Sequence, residues 1–246
     1  MDRLIYTAMS GAKHIMEQQA TVSHNLANAT TNGFRAQIDA FRAIPVMSDG
    51  LPTRAFVVDA TVGSDFRAGP IQQTGRALDV AVQGQGWIAV QNEDGTEAYT
   101  RHGSLKLNEN GVLQTHAGLN VQGDGGPITI PPDVTIAIAK DGTISAIPTT
   151  GQTAAVNVIG RIKLVNPEEE NLKRGDDGLF RLKDGGEADA DANVSLLDGS
   201  LEGSNVNVVD AMVSMISLAR QFEMHMKLLQ NAESNATKAG QILAMG

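Results

Sequence analysis

Two stretches of the 246-residue chain carry apolar residues at alternating spacings of three and four, and they lie at opposite ends. Ile5, Ala8, Ala12, Ile15, Gln19, Val22 and Leu26 fall on one face of a helix, a heptad-like seam with a single polar interruption at Gln19. Asn28-Ala29-Thr30-Thr31-Asn32-Gly33 ends it, because Asn and Gly tolerate the left-handed conformation in which helices stop. Near the other end Val208, Met212, Met215, Ala219, Phe222, Met226 and Leu229 repeat the alternation, and the seam then slips to Ala232, Ala236, Ala239 and Leu243. Ser204-Asn205 offers N-cap chemistry and Asp210 lies in the first turns. No proline follows Pro167, so nothing breaks this second helix.

Between the two seams the period changes to two. Leu78–Val82, Trp87–Val90, Ile128–Ile130, Val134–Ile138 and Val156–Ile159 read as short strands. The dipeptides Asp94-Gly95, Asn110-Gly111, Asp141-Gly142 and Asp177-Gly178 punctuate them with residues that accept the positive φ of tight turns. Gly84-Gln85-Gly86 sits between two of these strands, where a hairpin turn belongs. Pro45, Pro52 and Pro70 point to an extended, irregular stretch before the strands begin. The expected fold is α+β. An N-terminal helix (1–33) and a C-terminal helix (204–246) pair as a coiled-coil-like inner domain. A connecting segment (34–76) leads to a central antiparallel β domain (77–203). A single apolar seam on each helix wants another helix, so the simplest solution pairs the two ends and lets further copies cover what remains.

Charge follows the same division. The net charge is −9. Residues 1–44 sum to +1, residues 206–246 to 0, and residues 45–205 to −10. Nearly neutral ends pack against copies of themselves without strong repulsion, while the acidic middle is a solvated body. No basic stripe of the kind a nucleic-acid duplex requires is present. Aromatic residues are only 4%, so the core must be filled by Val, Ile, Leu, Ala and Met. With no cysteine, disulfides, thiolate metal sites and cysteine nucleophiles are excluded. No apolar run approaches the ~18 residues of a transmembrane helix. Met1-Asp2-Arg3-Leu4-Ile5-Tyr6 lacks the basic start and apolar core of a signal peptide, so export without a cleaved signal is the expectation.

Candidate chemistry is sparse. His14, His24, His102, His116 and His225 form no metal-binding pair and sit in no nucleophile motif, and they read as polar surface or interface residues. Asp189-Ala190-Asp191-Ala192-Asn193 alternates like a calcium loop. Val194 and Ser200 occupy the positions where an EF-hand needs Gly and Glu, so it reads as a solvated loop. Gly84-Gln85-Gly86 and Gly123-Asp124-Gly125-Gly126 complete neither a dinucleotide nor a phosphate-loop pattern. The methionines of the last helix (Met212, Met215, Met224, Met226) read as helix packing, since Arg220, Lys227 and Lys238 are too few for a membrane-binding face. The reading is therefore of a non-enzyme with no cofactor, no metal, no small-molecule substrate, no nucleic-acid partner and no membrane insertion. Its candidate working residues are those of a subunit interface: Ile5, Ala8, Ala12, Ile15, Val22 and Leu26 on the first helix, and Met212, Met215, Ala219, Phe222, Met226 and Leu229 on the second.

Four motifs in order resemble those of the flagellar rod and hook protein family. They are Ser23–Arg35 (Ser-His-Asn-Leu-Ala-Asn-Ala-Thr-Thr-Asn-Gly-Phe-Arg), Gly69–Gly84 (Gly-Pro-Ile-Gln-Gln-Thr-Gly-Arg-Ala-Leu-Asp-Val-Ala-Val-Gln-Gly), Tyr99–Ser104, and Ser204-Asn205-Val206-Asn207 with the Met-rich helix after it. Within the family, the opening Met1-Asp2 with Ile5–Met9, and Phe34–Gln37, Asp176–Leu182 and Arg220–Met224, point to the proximal rod, with a distal-rod subunit as the alternative. Ala29-Thr30 and Trp87 depart from residues common among relatives, without touching the assignment. The resemblance implies a structural subunit of the basal-body rod whose partners are copies of itself and other rod proteins. It implies export through the flagellar type III apparatus, assembly in the periplasm, and terminal helices that form a coiled-coil lining of a narrow channel. Two further readings stay open on pattern alone, a soluble β-rich binding module with its helices folded on itself and a host-facing adhesin. The polymer reading also expects frayed termini in the isolated subunit.

Overall fold

The computed structural model describes residues 2–45, 55–92, 94–148 and 156–244. The chain divides into two compact units. Unit 1 draws on residues 1–29, 36–65 and 206–246, and unit 2 on residues 30–35 and 66–205. Two helices and a set of antiparallel strand pairs make the class α+β.

Unit 1 contains α1 (Asp2–Ala27), β1 (Gln37–Pro45), β2 (Ala55–Ser64) and α2 (Val208–Ala244). The two helices pack on each other. α1 stops as its sequence requires: Asn28 N–H donates back to the carbonyls of His24 and Asn25, and the Asn28 side-chain amide donates to His24 O at 2.9 Å. The cap of α2 is Asn207, not the expected Ser204-Asn205 pair. Asn207 Oδ1 accepts from Val209 N (3.0 Å) and Asp210 N (3.3 Å), satisfying two of the free donors at the helix start. Ser204 is buried in unit 2, and the Asn205 amide donates to Arg67 O at 3.0 Å. The same side-chain chemistry recurs within three residues, and only the backbone path decides which copy caps.

Part of the segment expected to be irregular is a long hairpin. β1 pairs antiparallel with β2 from Gln37 opposite Ser64 to Pro45 opposite Ala55, with a bulge between Ala40 and Phe41. The polarity of its inner side hid it. The residues of β1 that turn inward include the polar Gln37 and Asp39 while the apolar Ile38 faces out. Pro45 stands at the strand end and Pro70 just before the next strand, where neither removes a ladder bond. Pro52 lies outside the described residues.

Among the described residues unit 2 has sixteen short strands: β3 (Ile71–Gln73), β4 (Val80–Gln83), β5 (Trp87–Gln91), β6 (Glu97–Thr100), β7 (Leu105–Leu107), β8 (Leu113–Thr115), β9 (Asn120–Gly123), β10 (Gly126–Pro127), β11 (Val134–Ile138), β12 (Thr143–Pro148), β13 (Asn157–Arg161), β14 (Leu164–Val165), β15 (Leu172–Arg174), β16 (Phe180–Leu182), β17 (Ser195–Asp198) and β18 (Ser200–Glu202). The main sheet runs in the order β15-β16-β6-β5-β9-β8-β7, with β10 on β9 and β14 on β5. β11, β12 and β13 form a second sheet, and β17 pairs with β4 and β18 with β3. The late strands β17 and β18 thus return to the earliest ones, closing unit 2 on itself. The glycines of the four turn dipeptides all adopt positive φ, Gly142 at 85° between β11 and β12. Gly84-Gln85-Gly86 is not a hairpin turn. It carries the chain from β4, which pairs with β17, to β5 in the main sheet, and Gly86 at φ 126° passes where a side chain would strike Val194. Ile128 to Ile130 forms no strand of its own, but both isoleucines are buried and Thr129 bridges to Val112.

The core is aliphatic. Val80, Val82, Ile88, Val90, Leu105, Leu113, Val121, Ile144, Ile162 and Leu196 are buried in one cluster. Each such side chain contributes about 1.5–3 kcal/mol by leaving water. Aromatics concentrate in a second cluster, where Trp87 packs on Phe180 with ring centroids 4.6 Å apart and Phe66 completes the group.

Candidate assembly surfaces and a buried ionic node

Of the six interface candidates on α1, Ala8, Ala12 and Ile15 are buried, and Ile5, Val22 and Leu26 are half-buried. On α2, Met215, Ala219, Phe222 and Leu229 are half-buried, whereas Met212 and Met226 are exposed. The most protected line on α2 runs through Ala211, Met215, Leu218, Phe222, His225, Leu229 and Ala232, again spaced four and three. It shares Met215, Phe222 and Leu229 with the sequence reading and takes Ala211, Leu218 and His225 where that reading has Met212, Ala219 and Met226. Either line completes a heptad on the shared residues. His225 makes the protected line look interrupted in the sequence.

A second face of α1 holds the hairpin. Asn25 clamps the backbone of Gln37 at two points, donating from Nδ2 to Gln37 O (2.9 Å) and accepting at Oδ1 from Gln37 N (2.8 Å). One turn earlier Thr21 Oγ1 donates to Asp39 Oδ1 at 2.9 Å, and two turns earlier still the His14 ring meets Phe41 edge-on at 5.6 Å. His14, Thr21 and Asn25 recur at helical spacing and answer Phe41, Asp39 and Gln37 at strand spacing. This polar seam was missed because an apolar-periodicity search passes over it. An open groove beside it is lined by Gln18, Thr21, Val22, Ser214, Ser217 and Leu218.

Unit 2 carries a buried ionic node. The Glu202 carboxylate lies between two guanidinium groups. Arg101 Nη1 donates to Oε2 at 3.0 Å, and Arg35 Nη1 approaches Oε1 to 2.7 Å as an ion pair without hydrogen-bond alignment. Gly69 N also donates to Oε1 (2.9 Å), and Gly33 N to the Glu202 carbonyl (2.8 Å). Arg101 Nη2 donates to Gly84 O at 2.7 Å, and the Arg101 guanidinium lies 5.4 Å from the Trp87 ring centre. Arg174 Nη1 caps the Arg35 carbonyl (2.8 Å) and stacks over Phe34 at 4.5 Å. Burial draws the pKa of Arg101 downward and Glu202 opposes it, while Arg35 adds to the lowering. Arginine stays charged under such pressure, which suits it to a buried pair. The node fastens residues 33–35, which follow α1 in sequence, to residues 202–205, which precede α2. Asn205 N also reaches Phe34 O. Arg35 and Arg101 stand within motifs noted in the sequence, but no spacing rule joins them to Glu202.

Among the described residues no group of His, Asp and Glu is arranged to hold a metal ion. His102 and His116 face each other at 6.5 Å, and the His102 pKa is pushed down, by burial first and by His116 second. Asp191 Oδ1 accepts from Asn193 N and Nδ2, closing the acidic loop as a turn. No described helix is long and apolar enough to cross a membrane.

With an α+β architecture, terminal helices and this motif order in place, comparison with known proteins defines the class. Three family models match in order: a flagella basal body rod protein model over residues 5–35, a flagellar hook protein FlgE/F/G D1 domain model over 81–146, and a flagellar basal body rod FlgEFG C-terminal model over 197–242. Over its full length the chain is 47% identical to the flagellar basal-body rod protein FlgF of Escherichia coli (strain K12), with all of that protein covered. It is 46% identical to FlgF of Salmonella typhimurium, again over both full chains. A flagellar basal-body rod protein FlgG, from Buchnera aphidicola of Acyrthosiphon pisum, is 30% identical over 90% of this chain and 92% of its own. The chain belongs to the flagellar basal-body rod protein family, on its FlgF branch, and is a structural rod subunit.

Proposed function

We propose that the subunit polymerises through its terminal helices. α1 and α2 pair as a coiled-coil-like inner domain and offer their remaining apolar faces to copies of the chain and to other rod proteins, building the drive shaft and the wall of the export channel. The observation that carries this reading is the apolar stripe left uncovered on both helices. Val209, Val213 and Ile216 are 58–66% exposed at spacings of four and three, beside exposed Met212 and Met226, and Tyr6, Met9 and Met16 are 55–58% exposed on α1. A long helix that leaves this much apolar surface in water is built to be covered. Contacts that repeat head to tail extend an open helical filament instead of closing a ring. The higher identity to FlgF than to FlgG supports a proximal over a distal position. Passage to the periplasm without a cleaved signal peptide belongs to the same reading, as does the absence of any catalytic role.

The test is deletion of residues 2–30, and separately of 206–246, in a strain lacking the native protein. Both truncated chains should keep the buried fluorescence of Trp87 and restore no swimming. A truncated chain that rebuilds a working flagellum would remove the helices from the assembly interface and return the binding-module and adhesin readings to the front.

A further inference from the structure

Gly11 is the only glycine of α1 and lies well inside that 26-residue helix. Glycine is the poorest helix former after proline, so its presence there calls for a packing reason. A β-carbon added to Gly11 would lie 2.6 Å from Cε1, 3.0 Å from Nδ1 and 3.3 Å from Nε2 of His225. All three nearest atoms belong to one ring, so the imidazole occupies the space a side chain would need. His225 stands in the protected line of α2 between Phe222 and Leu229, and its Nδ1 is buried with no hydrogen-bond partner among the described residues. A buried nitrogen without a partner opposes stability. What the ring brings to this position is its shape.

We propose that Gly11 and His225 form a hole and a knob that fix the register and the closeness of α1 against α2. The neighbours of Gly11 on the same face, one turn to either side, are Ala8 and Ile15, and both carry a β-carbon. A slip of the helices by a turn would bring one of those carbons under the ring, so a single register accepts it. Seams of Ala, Leu, Met and Phe are tolerant of slippage, and this pair removes the tolerance. The proposal deepens the reading that the helices pair to build the rod, and it rests on that reading for its consequence in assembly but not for the lock itself.

Gly11→Ala is the decisive variant, because helix propensity and the lock predict opposite signs. Amide hydrogen exchange of α1 is measured on the purified full chain for the wild type, G11A, H225A and G11A/H225A, with Trp87 fluorescence showing that unit 2 stays folded. The lock predicts that G11A lowers α1 protection by about tenfold, in the range that overpacking a fitted seam costs, and that G11A/H225A regains most of the loss. Protection that rises in G11A, a double variant no better than G11A, or a wild-type α1 that exchanges like an unfolded peptide overturns it. Swimming of the same variants is read in parallel. If protection follows the expected pattern and swimming is indifferent to it, the lock stands and polymerisation through the paired helices falls.

Discussion

Glu202 holds two arginines, a glycine amide and the start of the path into α2 with one carboxylate, and its side chain is 1% exposed. Removing one partner of such a cluster strands the others without water. Glu202→Ala should cost about 3–5 kcal/mol, read by urea unfolding of unit 2 through Trp87 fluorescence. Asp177→Ala is the contrasting case. Asp177 is exposed and its partner Arg181 only half-buried, so water screens the pair, and although the hydrogen bond from Arg181 holds the Asp177 carboxyl below its usual range, the loss should stay under about 1 kcal/mol. A Glu202 effect no larger than the Asp177 effect would show that the node does not stabilise unit 2. His102 adds a pH dependence. Its folded pKa is depressed, so the unfolded chain takes up the proton first as pH falls. Stability is full above the ordinary imidazole pKa of about 6.5 and declines as pH drops through it toward the lower folded value. His102→Gln should flatten that decline in a series of unfolding curves between neutral and mildly acidic pH.

The elements of unit 1 are held by two different kinds of seam. The apolar one depends on side chains such as Leu218, which is 8% exposed, and Leu218→Ala should destabilise the helix pair by about 2–5 kcal/mol in thermal melts followed by far-ultraviolet circular dichroism. The polar one depends on Asn25, whose two hydrogen bonds to Gln37 treat the strand backbone as a partner amide would. Asn25→Ala loses both, about 1–3 kcal/mol together, and the first sign should be faster hydrogen exchange at the Gln37 amide with α1 otherwise intact. β1 was hidden in the sequence because its inward residues include Gln37 and Asp39, the polar partners of this seam. Local alternation reads hydrophobicity, and here the buried side is polar.

At the scale of the molecule the chain divides into two compact units, one of helices and a hairpin, the other of short strands around an aliphatic core. They should melt separately. Helical dichroism reports mainly on unit 1 and Trp87 fluorescence on unit 2, and the two transitions should not coincide, which is the signature of unfolding in more than two states. Leu218→Ala should move the first and leave the second in place. Coincident transitions in the wild type, moved together by that variant, would show a single cooperative structure.

The sequence by itself determined the helices, four of the strands (β4, β5, β11 and β13), the glycine turns, the α+β class and the family, because each rests on local information: a period of 3.6 or 2, a turn dipeptide, a motif in order. It also placed the apolar residues of α1 on the face that is buried at Ala8, Ala12 and Ile15. Only the tertiary structure decided which of two equivalent lines on α2 turns inward, because Leu218 with His225 and Met212 with Met226 complete the same heptad. It alone joined Glu202 to Arg35 and Arg101, and the side chains of Thr21 and Asn25 to β1, because polar partners far apart in the chain leave no periodic trace. It alone also set a histidine ring over Gly11, since the shape of a hole is written in no single segment.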